Sequence, residues 1–285
     1  PLLFRSTAPM CQINYAEALE DEGTFGRRAV RAWEVAAEEW RDYASREIPT
    51  TYDTIIQLKN EEAYRRRAEQ LIAQLEEMAP GVRERLLAEK RAALPENQRE
   101  ALDTPPAERD EKQHQLARDA EDALETTHLD VAEALTGRKR REAEKRAKEA
   151  MELEQRAQQI SRYRAIVNFG YWRLRCRVEQ TPEAVAARQA VYRAELAFQD
   201  GNLPEAVERY AEGFQRWRTV LDRHPALLED KITGEDLIEV IDQYRKLLAQ
   251  LDEPFPADFP LSDVLDRYGE MERGRGAPAP EMAEP

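Results

Sequence analysis

Apolar positions recur along much of this chain at steps of three and four, the spacing that gathers side chains on one face of an α-helix. Leu116, Ala120, Ala123, Thr127, Val131 and Ala134 form one stripe; Ala150, Leu153, Ala157, Ile160, Val167, Tyr171, Leu174 and Val178 form another. No proline interrupts the 75 residues 107–181. Gly137 lies between the stripes, where a helix would stop. The pattern predicts a long antiparallel helical hairpin with arms 107–136 and 138–178 and its tip at Gly137. A single rod with glycine in mid-helix is the rival reading, a fault costing only about 1 kcal/mol.

The two ends carry a different pattern and resemble each other. At an offset of 177, Tyr15 matches Tyr192, Leu19 matches Leu196, Trp40-Arg41 matches Trp217-Arg218 and Arg46 matches Arg223. At an offset of 176, Pro49 matches Pro225 and Leu71 matches Leu247. Gly23 and Gly201 mark turns between a first and a second helix. The second helix carries a small, an aromatic and a small residue on one face: Ala29, Trp33 and Ala36 in one copy, Ala206, Tyr210 and Gly213 in the other. This resembles the second helix of a tetratricopeptide repeat, without that family's Trp-Leu-Gly pattern in the helix before the turn. A third helix is expected in each copy, over 53–79 and 235–252.

All 21 aromatic residues lie outside 65–162, so the middle of the chain closes on small and aliphatic side chains. The expected fold is therefore all-α. Duplicated tetratricopeptide-like three-helix units, 1–79 and 179–270, flank a charged region, 80–178, that holds the long hairpin. A short helix over 262–268 and a flexible tail, 271–285, complete the chain. Pro95 to Pro106, with Tyr171 to Cys176 and Glu179 to Thr181, is similar to bacterial proteins of planctomycetes that are uncharacterised and sometimes labelled "iron responsive element". That resemblance implies no activity.

Forty-three Lys and Arg against 57 Asp and Glu give a net charge of −14, which disfavours nucleic acid and anionic membranes as general partners. No transmembrane segment is present, and the composition predicts a water-soluble chain, cytoplasmic by default. The start at Pro1 leaves an upstream signal or anchor open. Cys11 and Cys176 sit in no CxxC arrangement and fix no compartment.

Chemistry is sparse. Glu111 with His114 and Glu125 with His128 are E-x-x-H pairs of the kind that hold di-iron centres when they face each other from different helices. Here both fall on one predicted helix, and solvated polar side chains are the simpler reading. No nucleophile elbow or phosphate loop occurs, so the chain reads as non-enzymatic, with no cofactor. The sharpest charge feature is the hairpin tip: Arg138, Lys139, Arg140, Arg141, Lys145, Arg146 and Lys148 sum with two glutamates to +5 over 138–148. It suits an anionic partner or an ordinary solvated face. Trp33, Trp40 and Trp217 suit either packing or a partner surface. The expected function is a protein-protein interaction scaffold or adaptor, with self-association through the hairpin. The alternatives are an anion-surface binder, of RNA or acidic lipid, and a metal protein built on the E-x-x-H pairs.

Overall fold

A computed structural model describes residues 6–50 and 54–273. The fold is all-α, with one short antiparallel pairing of β1 (Ile48–Pro49) with β2 (Ile55–Ile56). No described helix is long and apolar enough to cross a membrane. The chain divides into two compact units: residues up to Arg46 with those from Arg164 onward, and Glu47–Tyr163.

The first unit is built from two helical hairpins and their cover. Helices α1 (Thr7–Asp21) and α2 (Arg27–Ser45) form one hairpin. In the second unit α3 (Glu61–Met78), α4 (Val82–Ala93), α5 (Glu96–Asp103), α6 (Glu111–Leu124), α7 (His128–Glu133) and α8 (Gly137–Ile166) follow, the last helix ending just inside the first unit. The chain then continues in the first unit with α9 (Phe169–Glu179), the second hairpin α10 (Pro182–Gln199) and α11 (Leu203–Arg223), then α12 (Lys231–Gln250) and α13 (Ser262–Arg273).

Both hairpins close with the same turn. In the first, Gly23 N–H donates to Glu20 O and Thr24 N–H to Leu19 O, each at 2.8 Å; in the second, Gly201 N–H donates to Phe198 O at 3.1 Å and Asn202 N–H to Ala197 O at 2.8 Å. These are the paired bonds of a helix stop that needs a left-handed residue, and the glycines supply it at φ +80° and +75°. The turns correct the sequence register. Superposing them matches α1 to α10 at an offset of 178, so Ile13, Ala16 and Leu19 correspond to Val191, Ala194 and Ala197, all buried. Under the expected offset of 177, Leu19, 3% exposed, would match Leu196, 41% exposed. The second helices do match at 177, because the first turn is one residue longer. On α11 the smallness of Gly213 is required: a Cβ there would lie 2.9 Å from Val191 Cγ2.

The expected three-helix units are not what forms. In the C-terminal part, α12 and α13 cover the hairpin, and Phe214, Tyr244, Phe255 and Phe259 join rings over it, with centroids 4.8–6.1 Å apart. In the N-terminal part, α9 packs on α2, where Phe169 meets Trp40 at 5.9 Å. The helix expected to be third there, α3, belongs to the second unit. Helix α13 extends to Arg273, past the expected end at 268, and the rest of the predicted tail lies outside the described residues.

The long hairpin is also broken. Its first arm is divided by two capping boxes: Asp110 caps α6 with Gln113 reaching back, and Thr127 caps α7 with Asp130 reaching back. Its second arm stops at Ile166, and Asn168, left-handed at φ +49°, restarts the chain as α9. The Asn168 side chain donates to Asp230 Oδ2 at 2.6 Å, which holds that break in place. Helix α6 pairs with α5, while α8 turns Ala143 and Ala147 into a core with Leu75, Val131 and Ala132. Gly137 opens α8 in the left-handed region at φ +60°.

Candidate functional site

The first unit contains a cleft of about 260 Å³ where α1, α9, α10, α11 and α12 meet. Its walls carry six carboxylates, Glu17, Glu20, Asp21, Glu179, Glu195 and Asp236, against two guanidiniums, Arg175 and Arg188. Helical spacing explains the gathering. Glu17, Glu20 and Asp21 share a face of α1; Arg175 and Glu179 are one turn apart on α9; Arg188, Val191, Tyr192 and Glu195 line one side of α10.

Arg188 is the more tightly held cation. It donates Nε to Glu20 Oε2 and Nη2 to Glu20 Oε1, both at 2.7 Å, and Nη1 to Glu179 Oε2. Its Nη2 also reaches the Glu179 carbonyl at 2.8 Å, and its guanidinium lies 5.7 Å from the Trp33 ring. Trp33 Nε1–H donates to Glu20 Oε1 at 3.0 Å, so the buried Glu20 is fully engaged. Arg175 is shared more thinly. It pairs with Glu17 and Asp236 at 3.1 Å and with Glu179 at 3.4 Å, and donates to Tyr171 at 3.4 Å. Tyr171 and Thr233 hydrogen-bond at 2.9 Å behind it, and burial pushes the Tyr171 phenol up to about 12.

Two cations thus serve four carboxylates, and Asp21 and Glu195 have no cation among the described residues. The electrostatics follow this deficit. Burial raises the Glu195 carboxyl above the ordinary range, and nearby Asp21 raises it further. Burial likewise raises Glu17 and Asp236, with Arg175 pulling each of them back. Phe25, Tyr192 and Trp217 stand at the cleft with the apolar Val191, Leu237 and Val240. Phe25 and Tyr192 rings meet at 5.4 Å. A cavity with surplus negative charge whose lining also includes aromatic and apolar side chains is suited to a cation on an apolar stem.

The residues singled out from sequence are placed differently. Trp33 and Trp40 are buried, 1% and 0% exposed, so they pack and offer no partner surface; Trp217, also buried at 8% exposed, is the one of the three that borders the cleft. Glu111 and His114 lie on α6, whereas Glu125 caps its end and His128 opens α7, so the two pairs do not share one helix. His128 is already engaged: Arg83 Nη2 lies 3.0 Å from its Nδ1, and Glu154 3.4 Å from its Nε2. Among the described residues no cluster of His, Cys, Asp and Glu is arranged to hold a metal ion. Lys139, Arg140, Arg141 and their neighbours lie on exposed turns of α8, in the second unit.

The cleft itself escaped the sequence reading, although one signal was present. Arg188 and Glu195 interrupt the apolar stripe Ala184, Ala187, Val191, Ala194 of α10, and a charge set against a buried stripe needs a partner. Comparison with family models, curated proteins and solved structures finds no match for the chain.

Proposed function

We propose that this protein is a non-enzymatic interaction module whose two tetratricopeptide-like hairpins frame an acidic cleft for a Lys or Arg side chain of a protein partner. The observation that carries the reading is the pairing deficit: Arg175 and Arg188 are consumed by four carboxylates, leaving the half-buried Glu195 and the exposed Asp21 beside it without a cation among the described residues. An incoming ammonium or guanidinium supplies the missing charge, and Phe25, Tyr192 and Trp217 receive its stem. The volume of about 260 Å³ suits one side chain. This is the scaffold function read from the sequence, with a chemical preference added.

Selection from a displayed library of random peptides tests it. The expected result is enrichment of peptides with Arg or Lys at one shared position, lost with the double variant Asp21→Asn, Glu195→Gln. Enrichment without a basic position, or unaffected by the variant, contradicts it.

A further inference from the structure

The fold sorts six of the seven basic residues of this run of α8 into two populations, and the seventh, Lys139, is exposed on another face of the helix. Arg140 is paired with Glu144 at 2.6 Å, and Arg146 with Glu142 at 3.0 Å and Gln74 at 3.2 Å. Arg138, Arg141, Lys145 and Lys148 are exposed and have no carboxylate partner among the described residues. Their spacing of three, four and three puts them on one face of α8, opposite the buried Ala143, Ala147 and Ala150. The stripe runs about 15 Å along the helix. Helix α8 has no acid in its first turn, so the stripe begins at the positive end of the helix dipole, where cations are disfavoured.

The length of the stripe selects among anionic partners. At Glu152, the next position along the same line, the sign reverses. A nucleic-acid backbone or a bilayer presents anions well beyond 15 Å and would meet that carboxylate. Lys148 also borders an open groove in which Met151, 38% exposed, and Leu129 present apolar surface beside the charged Arg65, Glu69, Glu152 and Glu154. A short basic ridge that ends beside one exposed apolar side chain, Met151, matches a short amphipathic helix with acidic and apolar positions in succession. We propose that this face of α8 docks an acidic helix of a protein partner, whose carboxylates repeat the three-four-three spacing and whose next apolar side chain covers Met151. This surface is independent of the cleft, and its partner carries the opposite charge.

Fluorescence anisotropy with the full chain tests the assignment. The probes are a labelled alanine-based helix with four Glu at the matching spacing, its isomer with the same four Glu dispersed around the helix, a short DNA duplex and vesicles rich in phosphatidylserine. At low salt the striped helix is expected to bind about tenfold tighter than its isomer. The double variant Arg141→Gln, Lys145→Gln is expected to lose about tenfold in affinity, while Arg140→Gln, Arg146→Gln, with the same change in net charge, stays within about threefold. Arg140, Arg141 and Lys145 are exposed and Arg146 is half-buried, and circular dichroism of both variants should match the parent. The proposal is overturned if the striped helix does not bind, if the isomer binds as well, if duplex or vesicles bind more tightly than the helix, or if the two variants lose equally.

Discussion

Arg188 holds Glu20 through two N–H···O bonds, Nε to Oε2 and Nη2 to Oε1, each 2.7 Å long. The two residues are 168 positions apart in sequence and belong to different hairpins, so the pair ties α10 to α1. Both side chains are nearly withdrawn from water, 15% and 8% exposed. A buried ion pair is weak evidence of net stability, but removing one partner strands the other, at a typical cost of about 3–5 kcal/mol.

Glu20→Ala should therefore destabilise the protein by about 3–5 kcal/mol. It leaves Arg188 to Glu179 alone and takes away the acceptor of Trp33 Nε1–H. Glu20→Gln keeps an acceptor for Trp33 and should cost less. Urea denaturation with an unchanged slope measures both; equal stability of Glu20→Ala and parent would contradict the network.

Glu195→Gln should act in the opposite direction at neutral pH. Because burial first, and Asp21 second, raise its folded pKa, the folded state holds this proton more tightly than the unfolded chain does. The stability gained from that proton is complete below the unfolded value and is lost as pH rises through the raised one. A neutral glutamine avoids the loss, so the variant should melt above the parent at neutral pH and converge with it below the ordinary carboxylate range. Glu195 is partly exposed, so the gain is a fraction of about 1 kcal/mol. Melting curves over that pH range decide it; a variant that melts lower at neutral pH contradicts the account. Binding of a cationic probe should fall in the same variant.

The two turn glycines should differ. Alanine at either position must adopt φ near +75° to +80°, an intrinsic cost of about 1–2 kcal/mol. At Gly201 the new methyl enters open space, whereas at Gly23 it would sit 2.7 Å from Tyr192 Oη. Gly23→Ala should lose more stability than Gly201→Ala in parallel denaturation experiments; equal losses would show that Tyr192 yields freely.

The cysteines should react unequally. Cys176 is buried, and burial pushes its thiol up to about 12, whereas Cys11 is exposed on α1. A maleimide should label the native chain once, at Cys11, and twice after unfolding. Rapid native labelling of Cys176 would mean that α9 opens readily.

How far the sequence could be read depended on the range of the interaction involved. Helical spacing and the two glycine turns are local, so the all-α fold and both hairpins were legible from Gly23, Gly201 and the small residues of α2 and α11. The breaks at Asp110 and Thr127 were also local, written as capping boxes, but a proline-free apolar stripe across them suggested continuity. Asn168 was harder to read, because its left-handed turn is held by Asp230, far along the chain. The register of α1 on α10 was misread because Tyr15 and Leu19 had look-alikes one residue away, and burial distinguishes them. The cleft was least legible. Glu17, Asp21, Arg188 and Asp236 are ordinary members of a chain with 35% charged residues, and only folding shows which carboxylates share which arginine.

The central claim is that the cleft accepts a cation, and NMR titration tests it most directly. The probes are Nα-acetyl-arginine N-methylamide and its neutral citrulline counterpart, added to isotope-labelled protein. The account predicts saturable shifts at Tyr192, Glu195 and Asp236 with the arginine compound only, abolished by Asp21→Asn with Glu195→Gln. No shift at these residues, or the same shifts with citrulline, would contradict it.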